Sequence, residues 1–114
     1  MDARIISNKI IIIGGDHHNT LAVIRDLGKH KCNISVLVHG KFESKKLIRV
    51  SHSKYAKTRT FSVPDNEHDI IDWLLDNKKE AGLKPILFPC SDMAAYVIDS
   101  HYKQLSHLED LLPL

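Results

Sequence analysis

The sequence of 114 residues predicts an α/β fold built on a mainly parallel sheet. Three observations carry this expectation. Apolar runs that read as buried strands alternate with segments whose apolar residues recur at helical spacing. The first run, Ile10-Ile11-Ile12-Ile13, is apolar at every position, as a strand covered on both faces requires. Turn and cap residues then punctuate the alternation at Gly14-Gly15, Gly28, Pro64, Pro85 and Ser91-Asp92.

Taken in order, the isoleucine run is the first strand and Gly14-Gly15 closes it. Beyond a loop over residues 14–19, Leu21, Val23, Ile24 and Leu27 trace one stripe of a helix, with Gly28 placed to end it. Ile34, Val36 and Val38 begin a second strand that stops near His39-Gly40. Residues 44–57 contain Leu47, Ile48, Val50 and Tyr55 without a clean period, which suggests an irregular or briefly helical crossover. Residues 60–63 read as a short third strand stopped by Pro64. Asp65 or Asn66 can cap a helix in which Ile70, Ile71, Leu74 and Leu75 fall on one face, and Gly82 would end it. Ile86-Leu87-Phe88 forms a fourth strand between two prolines. Ser91-Asp92 then supplies the cap of a helix with Ala94, Val97, Ile98, His101 and Leu105 on one face. Strands and helices in this order favour right-handed crossovers and a doubly wound arrangement. The expected fold is a Rossmann-like three-layer α/β/α unit with a four-stranded, mainly parallel sheet.

Length allows one domain over residues 1–114, because a second core would have too little chain to close. A chain of this size buries roughly 65% of its unfolded surface, enough for stability without metal or disulfide staples. Cys32 and Cys90 lack a paired spacing, and a reduced, cytoplasmic protein is the simpler reading. The longest apolar run is too short to span a membrane and no secretory leader pattern opens the chain. Net charge is only +2 but uneven: seven basic residues and one acid lie between Lys41 and Arg59. With Phe42 and Tyr55 widely spaced and no recognition motif around them, this stretch reads as a solvated crossover, not a nucleic-acid surface.

In doubly wound sheets, ligands meet the carboxyl ends of the strands, where helix N-termini offer free N–H groups. Two strand-to-helix junctions are therefore candidates. Gly14-Gly15-Asp16-His17-His18-Asn19-Thr20 combines a backbone that can approach a ligand with polar side chains at its rim. Its plainer reading is a turn and a cap. Pro89-Cys90-Ser91-Asp92 is the second, where a structural cap competes with ligand contact. A phosphate-binding Gly-x-x-x-x-Gly-Lys-Ser/Thr loop is absent, as is Gly-x-Gly-x-x-Gly, and strand two ends in His39 where a dinucleotide site wants an acid. The eight histidines show no metal-ligand spacing. His101, Trp73 and Tyr96 read as packing residues, and Cys90 reads as a small hydrophobe before it reads as a nucleophile.

Together the junctions resemble the opening of ATP-grasp ligases, in particular the group like carbamoyl-phosphate synthase and D-aspartate ligase. The resemblance rests on Ile10-Ile11-Ile12-Ile13-Gly14-Gly15-Asp16 with Asn19-Thr20-Leu21, on Arg25-Asp26-Leu27-Gly28, on Ser53-Lys54-Tyr55-Ala56, on Phe61-Ser62-Val63-Pro64, and on Phe88-Pro89-Cys90-Ser91-Asp92. Each motif is loose; their order and spacing from Lys9 to Leu112 make the likeness. It implies the domain that precedes the ATP-binding region of such a ligase. The parent enzyme would use Mg-ATP to activate a carboxylate as an acyl phosphate for attack by an amine or similar nucleophile. The implied substrate-side residues are Gly14, Gly15, Asp16, His17, His18, Asn19, Ser91 and Asp92, with no catalytic or metal-ligating residue and no cofactor in this chain. His17 and His18 depart from the small or aliphatic residues usual at those places. The implied partners are downstream ATP-grasp domains of the same protein and a small carboxylate or amine, with neither nucleic acid nor membrane, and homodimerisation left open. The chain would then be a fragment of a longer protein, inactive alone. Two other readings stay open: a free-standing Rossmann-like nucleotide or metabolite sensor, and an interaction subunit of a split ligase.

Overall fold

Four isoleucines in a row leave strand β1 (Ile10–Gly14) without a polar face, and the sheet places it where none is needed. In the computed structural model, which describes residues 9–42, 47–55, 59–77 and 85–106, β1 pairs in parallel with two neighbours. Those neighbours are β2 (Ile34–His39) and β4 (Ile86–Pro89), and β3 (Thr60–Val63) pairs in parallel with the outer side of β2. The sheet order is β3-β2-β1-β4. Every strand pair is parallel, so the fold is the Rossmann-like three-layer α/β/α arrangement.

Alternation along each strand divides the core into two layers. Ile11 and Ile13 face one side, packing with Leu37 of β2 and Leu87 of β4. That layer is closed by Ile70, Ile71 and Leu74 of α2 (Glu67–Asn77) and by Ala94, Val97 and Ile98 of α3 (Asp92–Ser100). Ile10 and Ile12 face the other side, with Ile34, Val36 and Val38. There the cover is Ile24 of α1 (His18–Lys29) together with Ile48 and Val50 of the crossover between β2 and β3. Each fully buried isoleucine contributes about 1.5–3 kcal/mol by leaving water, so β1 stabilises both layers at once.

Topology follows from a constant crossover hand. From β1 to β2 to β3 the chain moves outward, and its connections lie on the α1 side. From β3 it crosses back to β4, and α2 accordingly lies on the opposite side. The crossover between β2 and β3 is briefly helical, as its aperiodic sequence suggests: a single 3-10 turn over Arg49–His52. Lys45, Lys46 and Lys57 of the basic stretch, Ala56, the expected stop at Gly82 and the segment after Ser106 lie outside the described residues. No helix among the described residues is long and apolar enough to cross a membrane.

Several boundaries differ from the sequence expectation, each for a local reason. Helix α1 starts at His18, so His18 and Asn19 form its first turn and not part of a loop. It also runs past Gly28 to Lys29. The left-handed residue that stops it is Lys31, with φ of 58°. The Lys31 N–H donates to Gly28 O at 3.0 Å and the Cys32 N–H to Leu27 O at 3.2 Å, which is the double closure of a Schellman motif. Gly28 serves packing instead, since a β-carbon there would overlap the Tyr55 ring. The last helix breaks at His101 into α3 and α4 (Tyr102–Ser106). His101 is not a core residue: half-buried, its Nε2 meets Glu67 Oε1 at 2.7 Å and ties the end of α3 to the start of α2. Tyr96 is 60% exposed, whereas Trp73 packs on Phe61 with ring centroids 5.3 Å apart.

Two stability outcomes follow. Lys31→Gly relieves the left-handed strain of a side-chain-bearing residue and raises unfolding free energy by about 0.5–1 kcal/mol in urea titration. Gly28→Ala, ordinarily favourable within a helix, lowers stability by about 1–3 kcal/mol because of the Tyr55 overlap. Tyr55→Ala in the same chain removes most of that cost.

Candidate functional site

Parallel pairing brings the two candidate junctions to one edge. Gly14 lies level with Val38, and Ile13 with Pro89, so the β1–α1 and β4–α3 loops leave the sheet side by side. The Cys90 N–H donates to Ile13 O at 2.7 Å and holds them together. The strand order reverses between β1 and β4, and this is the crevice in which doubly wound folds receive ligands. Gly14 makes the approach feasible: a β-carbon there would sit 2.9 Å from Cys90 Cβ and collide with the Thr20 hydroxyl.

Within the first loop the polar residues have different occupations. Asp16 turns away toward the β2–β3 crossover. Its Oδ2 accepts from the Arg49 N–H and its Oδ1 from the Val50 N–H, both at 2.9 Å. It therefore caps the 3-10 turn from a distance, at a terminus where Ile48 provides no side-chain cap. His17 occupies the N-cap position of α1 but makes no side-chain cap hydrogen bond. Its ring lies where a β-carbon on Gly15 would stand. His17, His18 and Asn19 are all exposed. Thr20 is fully buried, and its hydroxyl has no hydrogen-bond partner among the described residues.

The helix N-termini at this edge differ electrostatically. The first turn of α1 carries no acid. That of α2 carries Glu67 and Asp69, and Asn66 Oδ1 caps it by accepting from the Asp69 N–H at 2.9 Å. That of α3 carries Asp92, and Ser91 Oγ accepts from the Ala94 N–H at 3.0 Å. At α1 neither a side-chain cap nor an acid offsets the N–H groups and partial positive charge, while at α2 and α3 one capped N–H and acidic side chains offset part of them.

A second polar group crosses the same edge, built on two residues that sequence reading placed elsewhere. His39, the last residue of β2, reaches Asp65 Oδ1 with Nδ1 and Ser91 Oγ with Nε2, both at 2.7 Å. Asp65 appeared only as an alternative cap to Asn66 and His39 as a missing acid, whereas Ser91 stood both as a cap and among the substrate-side residues that the resemblance implies. The available signal was positional: polar residues follow the ends of β2, β3 and β4, and parallel strands bring such residues to one edge. Cys90, beside Ser91, has its thiol pushed up from the ordinary range by burial, which makes it a poorer nucleophile at neutral pH. Cys32 and Cys90 are both free thiols.

A cleft of about 490 Å³ opens next to this group, lined by Gly40, Lys41, Phe42, Ser62, Val63 and Pro64. Among the described residues, no three His, Cys, Asp or Glu side chains converge as metal ligands. The fold and this edge define a Rossmann-like domain with a polar carboxyl edge at its point of strand reversal. Comparison with protein-family models, curated proteins and solved structures finds no match to the chain.

The double cap by Asp16 has a measurable consequence. Asp16→Ala lowers unfolding free energy by about 1–2 kcal/mol, because two N–H groups lose a charged acceptor. Asp16→Asn, which keeps one acceptor oxygen, loses less in the same denaturant titration.

Proposed function

We propose that this chain is the substrate-side N-terminal domain of an ATP-dependent carboxylate ligase of the ATP-grasp kind, and that it receives a small anion at the β1–β4 crevice. The observation that carries the reading is the uncapped, acid-free N-terminus of α1 beside the strand reversal, with the Thr20 hydroxyl, unpartnered among the described residues, buried beneath it. Gly15, His18 and Asn19 offer backbone N–H groups to a carboxylate beside Gly14, and the exposed His17 and His18 stand at the rim. Ser91 and Asp92 border the crevice from the β4 side, while Asp16 supports it by fixing the crossover behind the loop.

In this reading Mg-ATP is held by further domains of the parent enzyme, which acts in the cytoplasm. The substrate carboxylate attacks the terminal phosphate there, and the acyl phosphate is then taken by an amine or comparable nucleophile. The part played by this domain is to hold and orient the substrate, consistent with its resemblance to the segment preceding the ATP-binding region.

A single helix terminus contributes only about 0.3–1 kcal/mol toward an anion at an exposed site, so binding by this chain alone is weak. Titration with acetate and with inorganic phosphate, followed by amide NMR, is expected to shift Gly14, Gly15, His18 and Asn19 with millimolar affinity. Shifts scattered over the surface would refute the site. Micromolar binding of ATP or NAD by this chain would replace the ligase reading with that of a free-standing nucleotide module.

A further inference from the structure

We propose that Ser91, His39 and Asp65 form a nucleophile, base and orienting acid able to take the acyl group of a small ester, a chemistry independent of the anion site at α1. The three residues come from the ends of three strands: β4, β2 and β3. His39 spans the end of β1, where Gly14 and Gly15 present no side chain to obstruct it.

Hydrogen-bond accounting fixes the direction of the chain. An ionised Asp65 only accepts, so the hydrogen of the imidazole sits on Nδ1 and is donated to Oδ1 at 2.7 Å. In the neutral ring Nε2 is then an acceptor, and the Ser91 hydroxyl donates to it at 2.7 Å. Both distances lie within the reach that proton transfer requires. The His39 side chain is 9% exposed and that of Asp65 49%, so the ring is packed in place while the carboxylate stays solvated.

Ser91 also caps α3, and the two roles are compatible. The hydroxyl oxygen has two lone pairs, of which the Ala94 N–H takes one. The other remains for attack. A cap needs neither an imidazole nor a carboxylate behind it, so capping leaves His39 and Asp65 unexplained. The backbone N–H groups of Asp92 and Met93, in the first turn of the same helix, have no acceptor within the helix and suit a developing oxyanion. A serine on a strand-to-helix turn at the carboxyl edge of a parallel sheet is also where α/β hydrolases place their nucleophile.

The step balances with water as co-reactant. Ser91 Oγ bonds to the ester carbonyl carbon, its proton passes to His39 Nε2, and the carbonyl pair moves onto oxygen. Collapse breaks the bond to the alkoxide, which leaves as the alcohol with the proton from Nε2. Water, deprotonated by the same nitrogen, then displaces Ser91 and releases the carboxylic acid. Asp65 is a positioning residue, since it touches only His39.

The 114-residue chain is treated with a fluorophosphonate, which phosphonylates an activated serine with loss of fluoride, and the adduct is mapped by mass spectrometry. One adduct, on Ser91, is expected, together with slow hydrolysis of p-nitrophenyl acetate. His39→Ala should slow labelling about 100-fold, and imidazole added to solution should restore part of it, a response that no purely structural role would give. Asp65→Asn should slow labelling and Asp65→Glu preserve it. Ser91→Asn keeps a good helix cap while abolishing the adduct. No adduct on Ser91 under conditions that fully label an authentic serine esterase, or a rate indifferent to His39→Ala, overturns the proposal. The anion titration at Gly14 and Gly15 reports separately, so failure here leaves that reading intact.

Discussion

The parallel pairing of β1 with both β2 and β4 is the constraint on which the rest of the structure depends. A strand with no polar face must be covered twice, and residues 10–13 contribute to both cores, as β2 does through Leu37 on one side and Val36 and Val38 on the other. The same strand ends in glycine, so its neighbours can close over its tip. Burial on both faces and bareness at the end are both written into one short segment, and together they create the stable layers and the crevice above them.

The loops at that crevice divide the work of support and recognition. Asp16 supports: its carboxylate reaches sideways to the 3-10 turn and binds the β1–α1 loop to the crossover beyond β2. The N-terminus of α1 is left without side-chain cap or acid, whereas α2 and α3 carry both. Anion preference at this edge is thus set by what surrounds the helix ends as much as by the helices themselves, since a cap or an acid offsets part of the partial charge of a terminus.

His39 shows how one side chain can join elements distant in the chain. Its two ring nitrogens face opposite ways, so it engages the segment after β3 and the segment after β4 at once. The result is a continuous polar line across the carboxyl edge, from Asp65 through His39 to Ser91 and the first turn of α3. The ends of three parallel strands converge there because every strand points the same way.

The sequence by itself determined the layered class, the order of elements and the edge at which polar residues gather. Those features depend on periodicity, and on glycine and proline, which act on their immediate neighbours. The isoleucine run, the stripe through Ile24 and Leu27 and the proline-bounded fourth strand were all legible for that reason. Tertiary structure decided the occupations of individual side chains. Asp16 looked like a loop acid and became a remote cap; Gly28 looked like a helix stop and became a bed for Tyr55; His39 looked like a strand end and became a bridge. In each case the partner lies more than twenty residues away, and a hydrogen bond or close contact at that separation exists only once the sheet has set the distance between strands.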